Sequence, residues 1–321
     1  MPTLANPVPR LFAVERGIFL MPSRLALDVT RRQRLGFISH AHMDHVGRHE
    51  LALCTPETAA LVRYRLGKIT ARELNYGQPT EIAGLRLTTL PAGHVLGSAM
   101  LQIEDQDETI LYTGDFRLGP SATAQPAELP QADYLIMECT FGHPRYRLPP
   151  RDVAIETLLE GVRTAIRRGA TPVVHAYVLG KAQEVSKILL DAGIPVLQHP
   201  DVYAITEVYQ TAGCDLSGVR PYQGQPVAGS VVVAPPPAQK SAPLEGILHR
   251  WRIGVTGWAM GGKPSGKWQM DQLIPLSDHA DYDQLLETVE RVEPKIVYCT
   301  HGPKGFVDEL KSQGHDARWL G

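Results

Sequence analysis

Cysteine is scarce in this chain of 321 residues. There are four, Cys54, Cys139, Cys214 and Cys299, far apart and without a C-x-x-C pair. That argues against a disulfide framework and for free buried thiols in a reducing cytoplasm. A long apolar run is also missing. Nothing approaches 18 uncharged apolar residues, so no membrane partner is expected. The stretch "MPTLANPVPRLFAVERGIFL" has no basic start followed by an apolar segment, so no signal peptide is expected either. Neither sign of charge is in excess: 32 Lys+Arg against 34 Asp+Glu leave a net charge of −2, which argues against a strongly basic nucleic-acid binder. No internal repeat or low-complexity tract is present. What remains is a globular composition, 43% hydrophobic and 21% charged, long enough for one large domain or two.

The charge is unevenly placed. Residues 141–270 carry 14 Lys+Arg and 9 Asp+Glu, a net of +5, so the remainder must carry −7 to give the total of −2. The chain reads as an acidic part and a basic part. The pattern of elements changes at the same place. The first 140 residues read as short strands, "RLALDV" (24–29) and "LGFISHA" (35–41), both apolar runs ending in polar residues, then "LRLTTLPA" (85–92), "SAMLQIED" (98–105), "ETILYTGD" (108–115) and "ADYLIMECT" (132–140). Among them, "TPETAALVRYRLG" (55–67) has an N-cap threonine, a first-turn proline and a closing glycine, the marks of a helix. From residue 142 strands alternate with the helical stretches 151–169 and 181–193, which points to an α/β unit with parallel pairing. The last fifty residues go back to the earlier pattern, with a helix in "DYDQLLETVERVEP", a strand in "KIVYCTHG" and a final helix. The expected organisation is a first domain in two pieces, 1–141 and 271–321, interrupted by an inserted α/β domain at 142–270.

Histidine is where the sequence concentrates. Of 12 histidines, four fall in "FISHAHMDHVGRHE" (37–50), where His40, His42, Asp44 and His45 form H-x-H-x-D-H. Residues two apart on an extended strand face the same side, so His40 and His42 can address one ion. If a helix starts directly after, Asp44 and His45 can turn to a second ion beside it. Imidazole and carboxylate together suit Zn²⁺, with Mn²⁺ or Fe as rivals. Further along, His94 in "PAGHVLGS", Asp115 in "ILYTGD", His279 in "PLSDHADY" and His301 in "VYCTHG" each stand at the end of an apolar run, and read together they complete one site.

These residues carry a family resemblance. The chain resembles metallo-β-lactamase-fold nucleases of the β-CASP group, over essentially its whole length. The hydrolase motifs match at His40, His42, Asp44, His45, His94 and Asp115; the β-CASP marks match at Glu138 in "MECTFG", His279 in "LSDHAD" and His301 in "THG"; "LGKAQE" (179–184) and "TGWAMGG" (256–262) resemble segments of the insertion. Among bacterial proteins it is most similar to the ligase-associated DNA exonucleases and messenger-RNA 3′-end-processing-like factors. The resemblance implies an α/β fold, a four-layer αββα sandwich with an inserted α/β β-CASP domain. It also implies two zinc ions about 3.5–4 Å apart holding a hydroxide for in-line attack on phosphorus. His40, His42 and His94 would hold one ion and Asp44, His45 and His301 the other, with Asp115 bridging. His279 would be the general acid, oriented by Glu138.

Asp28, ending "RLALD", is a candidate partner for a ligand histidine. Lys181, Ser277, Thr140, Arg145 and Arg147 are candidates to hold substrate phosphates, the basic segment forming one wall of a cleft. Tyr177 or Trp258 could stack on a base, although each reads more readily as core. His49, claimed by no motif, is expected at the surface or behind a ligand. The implied function is a zinc-dependent phosphodiesterase acting on nucleic acid, DNA favoured over RNA, with a DNA ligase among the implied partners. The competing readings are an RNA-processing nuclease, a small-molecule hydrolase of the same fold, and a dead interaction protein. "LSDHAD", the long insertion and the complete ligand set favour the nuclease.

Overall fold

The computed structural model describes residues 11–82, 84–237, 244–261 and 270–320. The N-terminal ten residues, expected to lack a signal peptide, lie outside the described residues, as does Gly262 of "TGWAMGG".

The chain builds three sheets in turn. The first holds β1 (Phe12–Val14), β2 (Ile18–Leu20), β3 (Leu25–Leu27), β4 (Leu35–Phe37), β5 (Leu51–Cys54) and β6 (Ala71–Glu73), in that order. Helix α1 (Pro56–Leu66) leaves β5. Thr55 caps it, its Oγ1 accepting from the Thr58 amide, and Pro56 opens it, as the sequence signals require. The second sheet begins with β7 (Thr80–Ile82), β8 (Leu85–Pro91), β9 (Ala99–Glu104), β10 (Thr109–Tyr112) and β11 (Tyr134–Glu138).

Then comes a separate six-stranded sheet, all parallel. Its elements are α2 (Arg151–Arg167), β12 (Thr171–His175), α3 (Lys181–Asp191), β13 (Val196–Gln198), α4 (Pro200–Thr211), β14 (Arg220–Pro221), β15 (Val231–Ala234), β16 (Arg250–Val255) and β17 (Gln272–Ile274). The strand order is β14-β13-β15-β12-β16-β17. Finally α5 (Tyr282–Val292), β18 (Ile296–Thr300), α6 (Gly305–Ser312) and β19 (Ala317–Trp319) return to the second sheet, where β18 pairs with β11 and β19 forms the edge.

Most strands are only three to five residues long, too short to persist by propensity alone, and the core holds them. Leu27, Phe37 and Leu53 of the first sheet share one buried cluster with Leu101, Ile110 and Ile136 of the second. The second sheet's other face packs Leu111 and Leu135 against Leu285 and Val289 of α5 and Leu310 of α6. Cys54 on the first sheet's other face and Leu61 of α1 belong to a larger buried cluster, in which α1 meets α4 and Leu158, Leu189 and Ile205 of α2, α3 and α4 pack with Val174 and Val233 of the third sheet. Each such buried side chain contributes roughly 1.5–3 kcal/mol over exposure, which outweighs the weak preference of a three-residue strand. The result is the αββα sandwich with an added α/β layer.

The structure departs from the sequence reading at three places. Helix α4 was not expected: "PDVYAITEVYQT" is rich in Val, Ile, Thr and Tyr, which favour strand, but Pro200 and the His199 cap, whose Nδ1 accepts from the Asp201 amide, start a helix. The final helix is followed by an edge strand, β19. No helix starts after His42: residues 43–45 make a turn closed by the His45 amide on the His42 carbonyl, and α1 begins only at Pro56.

Candidate metal centre and active site

Strand direction gathers the site. β4 runs parallel to β3 and β5, and β10, β11 and β18 run parallel to one another. β8 is antiparallel to β9, which is antiparallel to β10, so β8 points the same way as β10. β8, β10, β11 and β18 therefore end at one edge of the second sheet, delivering His94, Asp115, Glu138 and His301, and His40, just past β4 of the first sheet, meets Asp115 there. Gly114 makes the last turn before Asp115. Its φ of +53°, and the 2.6 Å that would separate a Cβ there from the Ser39 side chain, leave room for no larger residue.

His40, His42, His94 and Asp115 each bring a ligand atom within 4.8 Å of the others. Asp115 Oδ2 lies 3.5 Å from His40 Nε2, 3.4 Å from His45 Nε2 and 3.9 Å from His94 Nε2. His45 stands between the cluster and the remaining expected ligands. Its Nε2 is 3.9 Å from the Asp44 carboxylate, and its ring centroid is 5.5 Å from that of His301. Asp44 and His301 are exposed, whereas His40, His45, His94 and Asp115 are buried.

Backbone and side-chain partners fix each ring. His42 Nε2 donates to the Leu179 carbonyl at 3.1 Å and His94 Nδ1 to the Asp278 carbonyl at 2.8 Å. A carbonyl only accepts, so both of those nitrogens carry protons. In neutral rings the other two, His42 Nδ1 and His94 Nε2, then present lone pairs to each other at 3.1 Å. That contact is repulsive unless a cation draws both. His40 Nε2 is buried with no hydrogen-bond partner, and an unpaired buried nitrogen carries a desolvation cost that a metal bond removes. The donor set therefore fits a divalent ion.

Behind the ligands, Asp28 accepts from the Ser39 amide at 2.7 Å, Ser39 Oγ at 2.6 Å, His45 Nδ1 at 2.9 Å and Tyr112 OH at 2.8 Å. It is thus no ordinary strand-end aspartate: it holds His45 directly and, through Ser39, supports His40. Burial lowers the affinity of His40 and His42 for protons and pushes His94 down to about 3. Neutral imidazole is the form that binds metal. For His45 burial works the same way, but Asp115 and then Asp28 outweigh it and raise its pKa. Burial would raise Asp115, yet His45 and His279 beside it hold its carboxyl well below the usual range.

His279 stands next to the cluster, its ring 4.6 Å from that of His94. Nδ1 donates to Glu138 Oε1 at 2.8 Å, leaving Nε2 as the free ring nitrogen. Glu138, 2% exposed, is itself fixed by the Phe116 and Thr140 amides. Burial opposes the charge on His279, but Glu138 and then Asp115 raise it to about 10.

A cavity of about 390 Å³ opens over these groups, lined among others by Asp44, Asp115, His279 and His301. Lys181 lines it too, but its side chain is 1% exposed and its ammonium is paired with Glu184 at 3.1 Å and Asp278 at 3.7 Å. Ser277 Oγ donates to the His279 carbonyl and accepts from its amide, both at 2.9 Å, so it shapes that loop. Thr140 lines the cavity and donates to the His301 carbonyl at 3.2 Å. Arg145 lies over the Tyr146 ring at 4.6 Å, outside the cavity lining, and Arg147 is spent on Asp283 at 2.8 Å.

Two expectations are corrected. Tyr177 and Trp258 are not core: they are 49% and 48% exposed and both line the cavity, because they follow the C-terminal ends of the parallel strands β12 and β16, where ligands of such sheets collect. His49 is neither at the surface nor behind a ligand; it is buried against Gly36 and Gly47, its Nδ1 accepting from the Gln33 amide.

Sequence reasoning missed Arg65, an exposed cation on α1 that lines the cavity and donates to the Ala41 carbonyl at 2.7 Å; no local signal marks it. It also missed the two carbonyls, which no side-chain motif can reveal. Glu184 sits three residues after Lys181 within "LGKAQE", a spacing that was there to be read.

An αββα sandwich whose converging strand ends present such a histidine–aspartate cluster is the architecture of the metallo-β-lactamases. The chain belongs to that superfamily, in its β-CASP branch: residues 3–175 match the beta-lactamase superfamily domain, and residues 268–319 match the Zn-dependent metallo-hydrolase RNA specificity domain. It is 37% identical over 309 residues to a protein of Opitutus terrae named "Probable DNA ligase", covering 95% of this chain and 30% of that one. It is 32% identical over 177 residues to the RNase J-like protein of Methanocaldococcus jannaschii, 47% of this chain and 42% of that one. It is 26% identical over 296 residues to cleavage and polyadenylation specificity factor subunit 3 of Dictyostelium discoideum, 74% of this chain and 38% of that one. The chain thus spans less than half the length of these relatives. A crystal structure of a protein of unknown function from Enterococcus faecalis shares the fold, with a TM-score of 0.61 at 16% identity over 88% of this chain and 78% of that one.

Proposed function

We propose that the chain is a metal-dependent nuclease acting on DNA as an exonuclease. The observation that carries the metal-dependent part is the pair of lone-pair nitrogens on His42 and His94, 3.1 Å apart and each fixed by a backbone carbonyl. Two Zn²⁺, or Mn²⁺, held by His40, His42 and His94 and by Asp44, His45 and His301, with Asp115 shared, would neutralise phosphoryl charge and bring the pKa of a water toward neutrality. The chain's own residues do the rest. His279, protonated and hydrogen-bonded through Nδ1 to Glu138, donates from Nε2 to the leaving oxygen. Glu138 keeps the ring oriented and charged. Trp258 and Tyr177 offer ring faces to a base at the cavity mouth. In this reading residues 142–270 are the β-CASP insertion between the two pieces of the lactamase domain, 1–141 and 271–321.

The extent of the match supports DNA. The relative named for DNA ligase matches 95% of the chain, at higher identity than the RNase J-like protein or the cleavage and polyadenylation factor. A partner DNA ligase and a cytoplasmic location go with that reading. The match of residues 268–319 to a domain named for RNA specificity favours the second reading, a ribonuclease. Metal-quantified protein, incubated with end-labelled single-stranded DNA and RNA of one sequence, separates them. Mononucleotides from DNA alone support the proposal. Internal cuts in RNA alone replace it with the second reading, and no cleavage of either strand removes both.

A further inference from the structure

Among the described residues, many cations of the basic segment are already taken by carboxylates of the same molecule. Arg147 is paired with Asp283, Arg151 and Lys181 with Glu184, Arg163 with Glu156 and Arg167 with Glu160. Lys181, the one cation the segment sends to the catalytic cavity among the described residues, is also the most deeply buried of these.

Exposed cations near the metal centre come from the lactamase part instead. Arg65 lines the catalytic cavity. On the far side of Asp44 and His301 lies a second groove of about 540 Å³, and those two residues line both spaces, so the groove adjoins the cavity there. Arg16 and Arg31 line this groove. Both are exposed, and among the described residues neither guanidinium has an ion-pair or hydrogen-bond partner. Arg16 sits at the tip of the β1–β2 hairpin with φ +50°, followed by Gly17 at +140°. A left-handed arginine costs on the order of 1 kcal/mol, and no hydrogen bond or ion pair of its side chain among the described residues accompanies it. The groove floor is partly apolar, with Val14 and Leu320. Cations above an apolar floor are what a single nucleic-acid strand asks for: charge for the backbone, apolar surface for sugar and base.

We infer that Arg65, Arg31 and Arg16 form a phosphate-binding track that carries a single strand through the catalytic cavity, past Asp44 and His301, into the second groove. This rests on the nuclease reading but places these charged contacts on the lactamase part, while Tyr177 and Trp258 of the insertion face the same cavity. The track predicts contacts on both sides of the metal centre, so binding strength depends on strand length beyond the cavity.

Binding of a fluorescent 12-nucleotide phosphorothioate DNA strand to metal-loaded protein, followed by anisotropy across a salt series, tests it. Each phosphate contact on a single strand contributes about −0.7 to the slope of log K against log salt. The R16Q/R31Q protein should therefore show a slope shallower by about 1.4 than wild type, and R65Q one shallower by about 0.7. R16K/R31K, which keeps the charge, should restore the wild-type slope. Wild-type slopes in R16Q/R31Q and R65Q, or no binding by wild-type protein, overturn the track. Cleavage of the same strand with ordinary linkages is scored separately. Binding with the expected slopes but no cleavage leaves the track standing and removes the nuclease reading.

Discussion

The Leu179 carbonyl accepts a hydrogen bond from His42 Nε2 at 3.1 Å, across 137 residues of sequence. One residue later, Gly180 turns with φ +94° and packs against Val95, next to His94. Two residues later, Lys181 pairs with Asp278, whose carbonyl orients His94. A single turn leading into α3 thus sets the direction of two rings of the proposed metal site.

Gly180→Ala should therefore weaken metal binding without touching a ligand. A Cβ there would stand 2.3 Å from Val95 Cγ1, in a backbone conformation that alanine resists. The expected loss of zinc affinity is about 10-fold or more, as for other groups that orient ligands. Competition with a chelating dye measures it; unchanged affinity in a folded variant would show that the turn is not needed.

Asp28→Asn should act from the other side. All four of its hydrogen bonds are accepted by the carboxylate, and an amide must turn its NH₂ toward at least one donor. We expect metal affinity to fall by about 10–100-fold, with the same dye assay as readout and circular dichroism as the check on folding.

Glu138→Gln should change the pH profile. A general acid works while protonated, so activity persists below the pKa of His279 and is lost as pH rises through it. Glu138 is the largest attraction raising that pKa toward 10 against burial. Bound cations would lower it in both proteins, so the difference between them isolates Glu138. The alkaline limb of kcat should move down by about 1 unit or more. A profile that keeps its alkaline limb would assign that limb to another group.

Glu184→Gln should destabilise the fold. Glu184 is 3% exposed and faces Lys181, Arg151 and Arg117, and stripping one charge from such a buried cluster costs about 3–5 kcal/mol. Burial opposes its ionisation, but Lys181 and then Arg151 hold it at about 2, below its ordinary 4.5. A depressed carboxylate contributes stability above its unfolded pKa and loses it as pH falls toward the folded one. Wild-type protein should thus lose part of its stability between pH 4.5 and 2, and the variant should lose less there. Urea melts across that range decide it; parallel losses in both proteins would remove Glu184 as the cause.

Much of this was legible in one dimension because the signals are local. Thr55, Pro56 and Gly67 bracket α1 by backbone chemistry that needs no neighbour. His40 and His42 share a side because a strand alternates. The short unbroken apolar runs in β11 and β15 announce strands buried on both faces. Where the sequence failed, a distant contact decided. Strand-favouring residues became helix α4 because Ile205 and Tyr209 pack into the core beside α1 and α3. His49, a residue of the same run as four of the proposed ligands, turned inward to fill the space over two glycines.

The sequence by itself determined which chemical groups the site contains and the strand ends that carry them, since both follow from residue identity and period. Only the tertiary structure decided which of those groups are free to act. Pairing between residues more than a hundred positions apart gave His279 its carboxylate, a fold-made pocket took Lys181 out of solvent, and Arg16 and Arg31 were left unpaired among the described residues. Charge in a sequence is a count; whether it is available depends on what the fold sets within a few ångströms of it.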